Sequence, residues 1–210
     1  RSGDLASFNW NPLPGTAKEG KVISELIQAE LLTNNAATVL EIQERKGPKI
    51  LHISSHAYFL SDKKNYENQL LRSGVVLAGA NEPELNPNDD GYLTALEITN
   101  LDLDGTDLFV ISGCDSGIGD FITGSGVYGL KRAIAVAGAR SSLLSLWKVN
   151  DNATAAFMEA YYTRLKEGEG RAKALANTQK AFREHIIPGF RHPGVWAAFQ
   201  LSGDWRPIDF

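Results

Sequence analysis

The chain has 210 residues, 43% hydrophobic and 22% charged, an ordinary folded-domain composition that excludes disordered, collagen-like and disulfide-scaffold classes. Net charge is −4, from 21 Lys and Arg against 25 Asp and Glu, so no basic footprint for direct nucleic-acid or anionic-membrane binding is present. A single cysteine, Cys114, excludes an intrachain disulfide and points to a reducing, cytoplasmic home, and no apolar run approaches the roughly 18 residues of a membrane span.

Residues 1–17, with Trp10-Asn11-Pro12-Leu13-Pro14-Gly15, read as a linker leading into a domain over 18–210. The start lacks both an initiator Met and the apolar stretch of a secretory signal, so a C-terminal piece of a longer protein is expected. Val22, Ile23, Leu26, Ile27 and Leu31 recur at spacings of three and four, predicting an amphipathic helix over about 18–30, with a short helix after it at 36–44. The apolar run at 49–55, bounded by Gly47-Pro48, predicts a buried strand. Residues 61–92 are polar at both ends and dense in turn signals, so only 74–78 is expected to be ordered, as an edge strand or buttress. A short helix at 94–100 and a strand at 107–112 follow, the latter running into the tight loop Gly113-Cys114-Asp115-Ser116-Gly117.

Helical spacing over 127–137 ends at Gly138, which fits the position just past a helix C-terminus. A third buried strand is predicted at 141–147, then helices from Asp151 or Asn152 to Lys166 and over 171–184, and a last strand at 196–201. Strands separated by helices of this length predict an α/β fold, a mostly parallel sheet with helices on both faces.

In such a sheet ligands bind beyond the carboxyl ends of the strands. The strand at 49–55 ends at His56 and that at 107–112 ends at Cys114; if these strands are neighbours, imidazole and thiol project over one edge. A neighbouring His raises the thiolate fraction and can later protonate a leaving amine, and Gly113, Gly117 and Gly119 leave room for backbone N–H groups to face an oxyanion. The bland alternative is a small buried cysteine beside a satisfied core histidine. His52 and His56 share a His-x-x-x-His spacing, but on a strand and without the Glu of a zinc protease helix, so no metal is expected and His52 reads as a hydrogen-bonded partner inside the sheet. Gly124-Ser125-Gly126-Val127-Tyr128-Gly129 matches a dinucleotide fingerprint but lies ten residues beyond Cys114 and not at a strand end, so close helix packing explains it better than a nucleotide does.

Several segments together resemble the CHAT domain of the caspase-like cysteine peptidase clan. They are Pro12 to Thr16, Ile50 to His56, Gly91 to Thr94 with Glu97-Ile98, Leu101 to Leu103, Leu108 to Gly119, Gly124 to Gly129, Ala137 to Arg140, Ser145 to Thr154, and His192-Pro193 with Trp196 to Phe199 and Gly203 to Trp205. The resemblance implies a caspase-like three-layer α/β/α sandwich with a mostly parallel central sheet. It implies a cysteine endopeptidase without cofactor, in which Cys114 attacks a peptide carbonyl and His56 transfers protons. Backbone N–H groups of Cys114 and Ala57 would form the oxyanion hole. The family usually has Gly where Ala57 stands, so a methyl is expected to narrow that approach, and its usual Ala-Cys-Glu-Thr-Gly is Gly113 to Gly117 here.

Leu146 to Asp151 also looks like the corresponding stretch of separase, so Asp151, with Asp115 and a groove wall at Trp147, would receive a basic P1 side chain. The alternatives are that Asp151 caps the following helix and that Trp147 packs under the sheet. Domains of this kind sit behind helical repeats or other sensors, and some serve bacterial defence or activate pore-forming proteins. That implies a protein or peptide substrate and a regulatory repeat or sensor domain in the parent chain, with the 61–90 loop as the segment that orders or is cut on activation. The opposing hypotheses are a catalytically silent caspase-like scaffold, favoured by Ala57, and a nucleotide-binding module on the glycine-rich loop.

Overall fold

The computed structural model describes residues 5, 8–60, 68–82, 89–113, 125–184 and 191–210. Its elements in chain order are α1 (Pro14–Ile27), α2 (Val39–Gln43), β1 (Ile50–Ile53), β2 (Ala57–Phe59), β3 (Ser73–Val76), β4 (Tyr92–Thr94), α3 (Ala95–Ile98), β5 (Leu108–Ile111), α4 (Ser125–Val136), β6 (Ser141–Ser145), α5 (Asp151–Lys166), α6 (Arg171–Arg183), α7 (Pro193–Trp196) and β7 (Phe199–Gly203).

The central sheet runs β1-β5-β6-β7, with β1, β5 and β6 parallel and β7 antiparallel to β6. Alternation along β5 divides the core. Phe109 and Ile111 face α2, α3 and α4 on one side, while Leu108 and Val110 face α1, α5 and α6 on the other. Every residue of β5 and β6 is buried, as expected for strands covered on both faces. This is the expected three-layer α/β/α sandwich with a mostly parallel sheet.

A second sheet, β2-β3-β4, is wholly antiparallel and contains two strands, β2 and β4, that hydrophobic patterning did not reveal. β3 is its middle strand with all four residues buried, not the expected edge strand, because β4 arrives from sixteen residues further along to pair with it. Ala57, Val75 and Leu93 point into the main core. Tyr58, Val76 and Tyr92 point the other way, into a separate cluster completed by Leu5, Phe8 and Trp10. Thus residues expected to be a linker cover the outer face of this small sheet. Residues 61–67 and 83–88 of the expected activation loop lie outside the described residues.

α1 begins at Pro14, four residues earlier than the apolar periodicity suggested, because proline at the first helical position has the right φ and no N–H to leave unsatisfied. The last strand begins at Phe199; the preceding Pro193–Trp196 is a helical turn, started by His192, whose Nδ1 accepts from the Gly194 N–H.

Candidate active site

β1 and β5 are adjacent parallel strands in the register Ile53 opposite Ile111, and the ladder continues through the Ser112 N–H donating to the Ile53 carbonyl at 3.1 Å. The backbones then close up further. A Cβ placed on Gly113 would overlap the Ser55 carbonyl, so only glycine allows this approach. Ser55 precedes His56 and Gly113 precedes Cys114, so the two chain segments leave the same sheet edge side by side. Cys114 and Asp115 themselves, with the loop through Gly124, lie outside the described residues.

His56 is buried, at 6% exposure, directly before β2. Its Nε2 lies 2.7 Å from the Asn11 carbonyl. A carbonyl only accepts, so Nε2 carries the proton, and the neutral ring has its lone pair on Nδ1. The His56 carbonyl accepts from the Val76 N–H at 2.8 Å. His56 and Val76 are therefore a hydrogen-bonded pair, and Ala57 opposite Val75 is a non-hydrogen-bonded one, whose N–H points away from β3. The Ala57 methyl is fully buried in the main core. It is thus turned into the core, whereas the Gly-to-Ala difference led to the expectation of a methyl beside that N–H.

His52 is where the sequence placed it, hydrogen-bonded at the sheet, but its chief partner was not foreseen. Glu19 of α1, at 2% exposure, bonds His52 Nε2 through Oε1 and accepts from Ser54 Oγ through Oε2, both at 2.9 Å. Tyr162 of α5 meets Nδ1 at 2.9 Å. Burial, helped by Tyr161 and Glu19, pushes the Tyr162 phenol well above its usual range, so it keeps its proton and donates. The strand leading to His56 is thereby tied to α1 and α5, two of the helices on that face. Glu19 lies on the buried side of α1, the signal that could have found it, although a charged residue is rarely expected there.

Asp151 is not the cap of α5. Asn150 is: its side chain accepts from the N–H groups of Asn152 and Ala153. The Asp151 carboxylate instead accepts from the Gly15 N–H at 3.4 Å, and α1 and α5 approach so closely there that a Cβ on Gly15 would collide with Asp151. Beside this contact is an open cleft of about 760 Å³, lined by Leu13, Pro14, Lys18, Lys148, Asn150 and Asp151 among others. Trp147 packs against the α5-side core and donates its indole N–H to the Gly194 carbonyl at 2.8 Å, the packing alternative for that residue. Gly129 of the glycine-rich run lies inside α4 facing Ser73 and Leu70, a helix-packing position. Among the described residues, no group of three or more His, Cys, Asp or Glu could hold a metal ion, and no helix is long and apolar enough to cross a membrane.

A mostly parallel α/β/α sandwich with an imidazole at the carboxyl edge, one strand away from the segment entering Cys114, is the architecture of the caspase-like class. Within it, the family model for the CHAT domain matches residues 1–204, and the chain belongs to the CHAT domain family. Among curated proteins it is similar to human tetratricopeptide repeat protein 28, 26% identical over 216 residues, covering 92% of this chain and 8% of that protein. Mouse tetratricopeptide repeat protein 28 is also 26% identical, with 92% and 9% covered. The chain thus spans less than a tenth of the relatives it matches.

Proposed function

We propose that this domain is a cysteine endopeptidase in which Cys114 attacks a peptide carbonyl and His56 moves the protons. The observation that carries this is the packing of Gly113 on Ser55, which brings the residues immediately before Cys114 and His56 into contact. Thiol proton transfer to His56 Nδ1 gives a thiolate and an imidazolium still held through Nε2 by Asn11. Thiolate attack forms the C–S bond and a tetrahedral oxyanion, which the outward Ala57 N–H and the Cys114 N–H would stabilise. Collapse breaks the C–N bond, with the imidazolium proton passing to the leaving amine. Water then attacks the thioacyl-enzyme, giving its proton to His56, and releases the acid and the thiol.

The cleft beside Asp151 is the substrate-side surface in this reading. Leu13 lines it two residues after Asn11, so at most about 7 Å of chain separates His56's partner from the cleft rim. Asp151 and Asp115 would favour a basic P1 side chain, Trp147 serving beneath as support. Lys18 and Lys148 on the same rim oppose that preference, so selectivity for Arg or Lys should be moderate. The burial of the Ala57 methyl in the main core supports the enzyme reading over a silent scaffold, because the methyl is turned away from the surface. Since the curated relatives are named as tetratricopeptide repeat proteins, a helical-repeat region in the same parent chain would regulate the enzyme, as an effector in the cytoplasm, in bacterial defence or activation of a pore-forming protein. The test is a diverse peptide library incubated with the domain and read by mass spectrometry, with Cys114→Ala as control. Cuts confined to the Cys114 protein and enriched after Arg or Lys are expected; identical patterns from both proteins would overturn the assignment in favour of scaffolding.

A further inference from the structure

Residues 8–11 reach His56 through a chain of contacts that nothing in the local sequence announces. The Trp10 ring centroid lies 5.2 Å from that of His56, with the planes at 43°. The indole is itself fixed: its N–H donates to the Tyr92 hydroxyl at 2.9 Å, and Phe8 stacks on it at 5.9 Å. Its backbone is gripped at both ends by one side chain. The Trp10 N–H donates to Asn81 Oδ1 at 2.8 Å, and Asn81 Nδ2 donates to the Trp10 carbonyl at 3.0 Å. The next carbonyl along the chain, that of Asn11, is the one on His56 Nε2.

Two bonds across one residue fix the direction of the peptide that follows, and hence where the Asn11 carbonyl points. Asn81 is exposed and belongs to none of the core clusters, so packing does not account for its bidentate grip. We propose that Asn81 and Trp10 are positioning residues for His56: Asn81 clamps the Trp10 backbone so that the Asn11 carbonyl stays on Nε2, while the indole covers one side of the imidazole. This rests on His56 being the proton-transfer partner of Cys114. The tilted indole limits rotation of the imidazole, and the fixed carbonyl holds the tautomer whose Nδ1 can accept the thiol proton. Both effects stabilise the thiolate–imidazolium pair.

Cys114 is the single thiol in the chain, so its alkylation by iodoacetamide, followed by intact mass, needs no substrate. In Asn81→Ala the rate at pH 7 should fall about three- to tenfold and the pH–rate midpoint rise by about 0.5–1, with the melting temperature nearly unchanged. Trp10→Leu should lower the rate and raise the midpoint more strongly, with some loss of melting temperature because the indole packs on the small-sheet cluster, and Trp10→Phe should recover part of the rate by restoring an aromatic ring. Unchanged profiles in Asn81→Ala and Trp10→Leu would overturn the proposal, as would faster alkylation, which would make the segment a cover. If His56→Gln leaves the profile of the parent protein unaltered, the Cys–His reading fails by itself. The clamp is then read from His56 ring nitrogen chemical shifts: the Nε2–H tautomer should predominate in the parent and become mixed in Asn81→Ala, and equal populations in both would overturn it.

Discussion

Adding one methyl group at Gly113 tests whether the close approach of β1 and β5 sets the site. In Gly113→Ala the new Cβ would overlap the Ser55 carbonyl oxygen and lie 2.6 Å from its carbon and 3.2 Å from the Ser55 nitrogen. Relief to the ~3.5 Å of an ordinary carbon contact requires about 1 Å of separation from the Ser55 carbonyl carbon and more from its oxygen, which is nearer still. Neither side is a flexible side chain: the obstacle is backbone, and both segments are held by strand hydrogen bonds. Overpacking of this kind costs about 1–3 kcal/mol, or roughly 2–12 °C in melting temperature for a domain of this size. Because the residues displaced are those entering His56 and Cys114, a misplacement of at least about 1 Å should cost about 100-fold or more in turnover. Peptide cleavage and Cys114 alkylation would be measured beside thermal unfolding. An alanine variant that melts with the parent and cleaves at the parent rate would refute the argument that this contact positions the pair.

Arg171, at 1% exposure, donates to the carbonyls of Arg206 and Asp107 and to Ser141 Oγ, and pairs with Asp204 at 3.1 Å. Arg171→Met should therefore cost about 3–5 kcal/mol in denaturant unfolding, and a loss below ~1 kcal/mol would show that the clasp is not what holds α6 to the C-terminal segment. Asn150→Ala should destabilise by about 1 kcal/mol as a lost helix cap, whereas Asp151→Ala should alter cleavage preference more than stability; the reverse order in paired melting and cleavage assays would exchange their roles. Hydrogen bonds from the Arg206 side chain and backbone hold the Asp204 carboxyl well below its usual range, with the Arg171 and Arg206 charges assisting. A depressed carboxyl contributes stability above its unfolded pKa and loses it as pH falls, so stability should decline below about pH 4, and less steeply in Asp204→Asn; parallel acid curves for the two proteins would contradict this.

Local pattern was enough for much of the architecture. The apolar runs of β1, β5 and β6 and the three-and-four spacing of α4, with Gly138 at its end, depend on neighbours within a few residues, and they placed His56 and Cys114 at two strand ends. The same locality explains what patterning missed. β2 and β4 are only three residues each, too short to show alternation, and they exist because β3 pairs with both. The role of residues 8–15 was invisible for a related reason. Trp10 reaches Asn81 across 71 positions, Asn11 reaches His56 across 45, and Gly15 reaches Asp151 across 136. A Pro-Leu-Pro-Gly stretch has the composition of a linker, and only the packed structure sets it between His56 and Asp151.

By itself, then, the sequence determined the sandwich, its parallel strands and the two strand ends that lead toward His56 and Cys114, because periodicity and strand ends are local properties. The tertiary structure decided which backbone carbonyl fixes the His56 tautomer, which residue caps α5, where the Ala57 methyl goes and which carboxylate holds His52. Each of these depends on groups brought together from distant parts of the chain by burial of the two main cores and the small cluster beneath Trp10, a contact pattern that no short window of residues encodes.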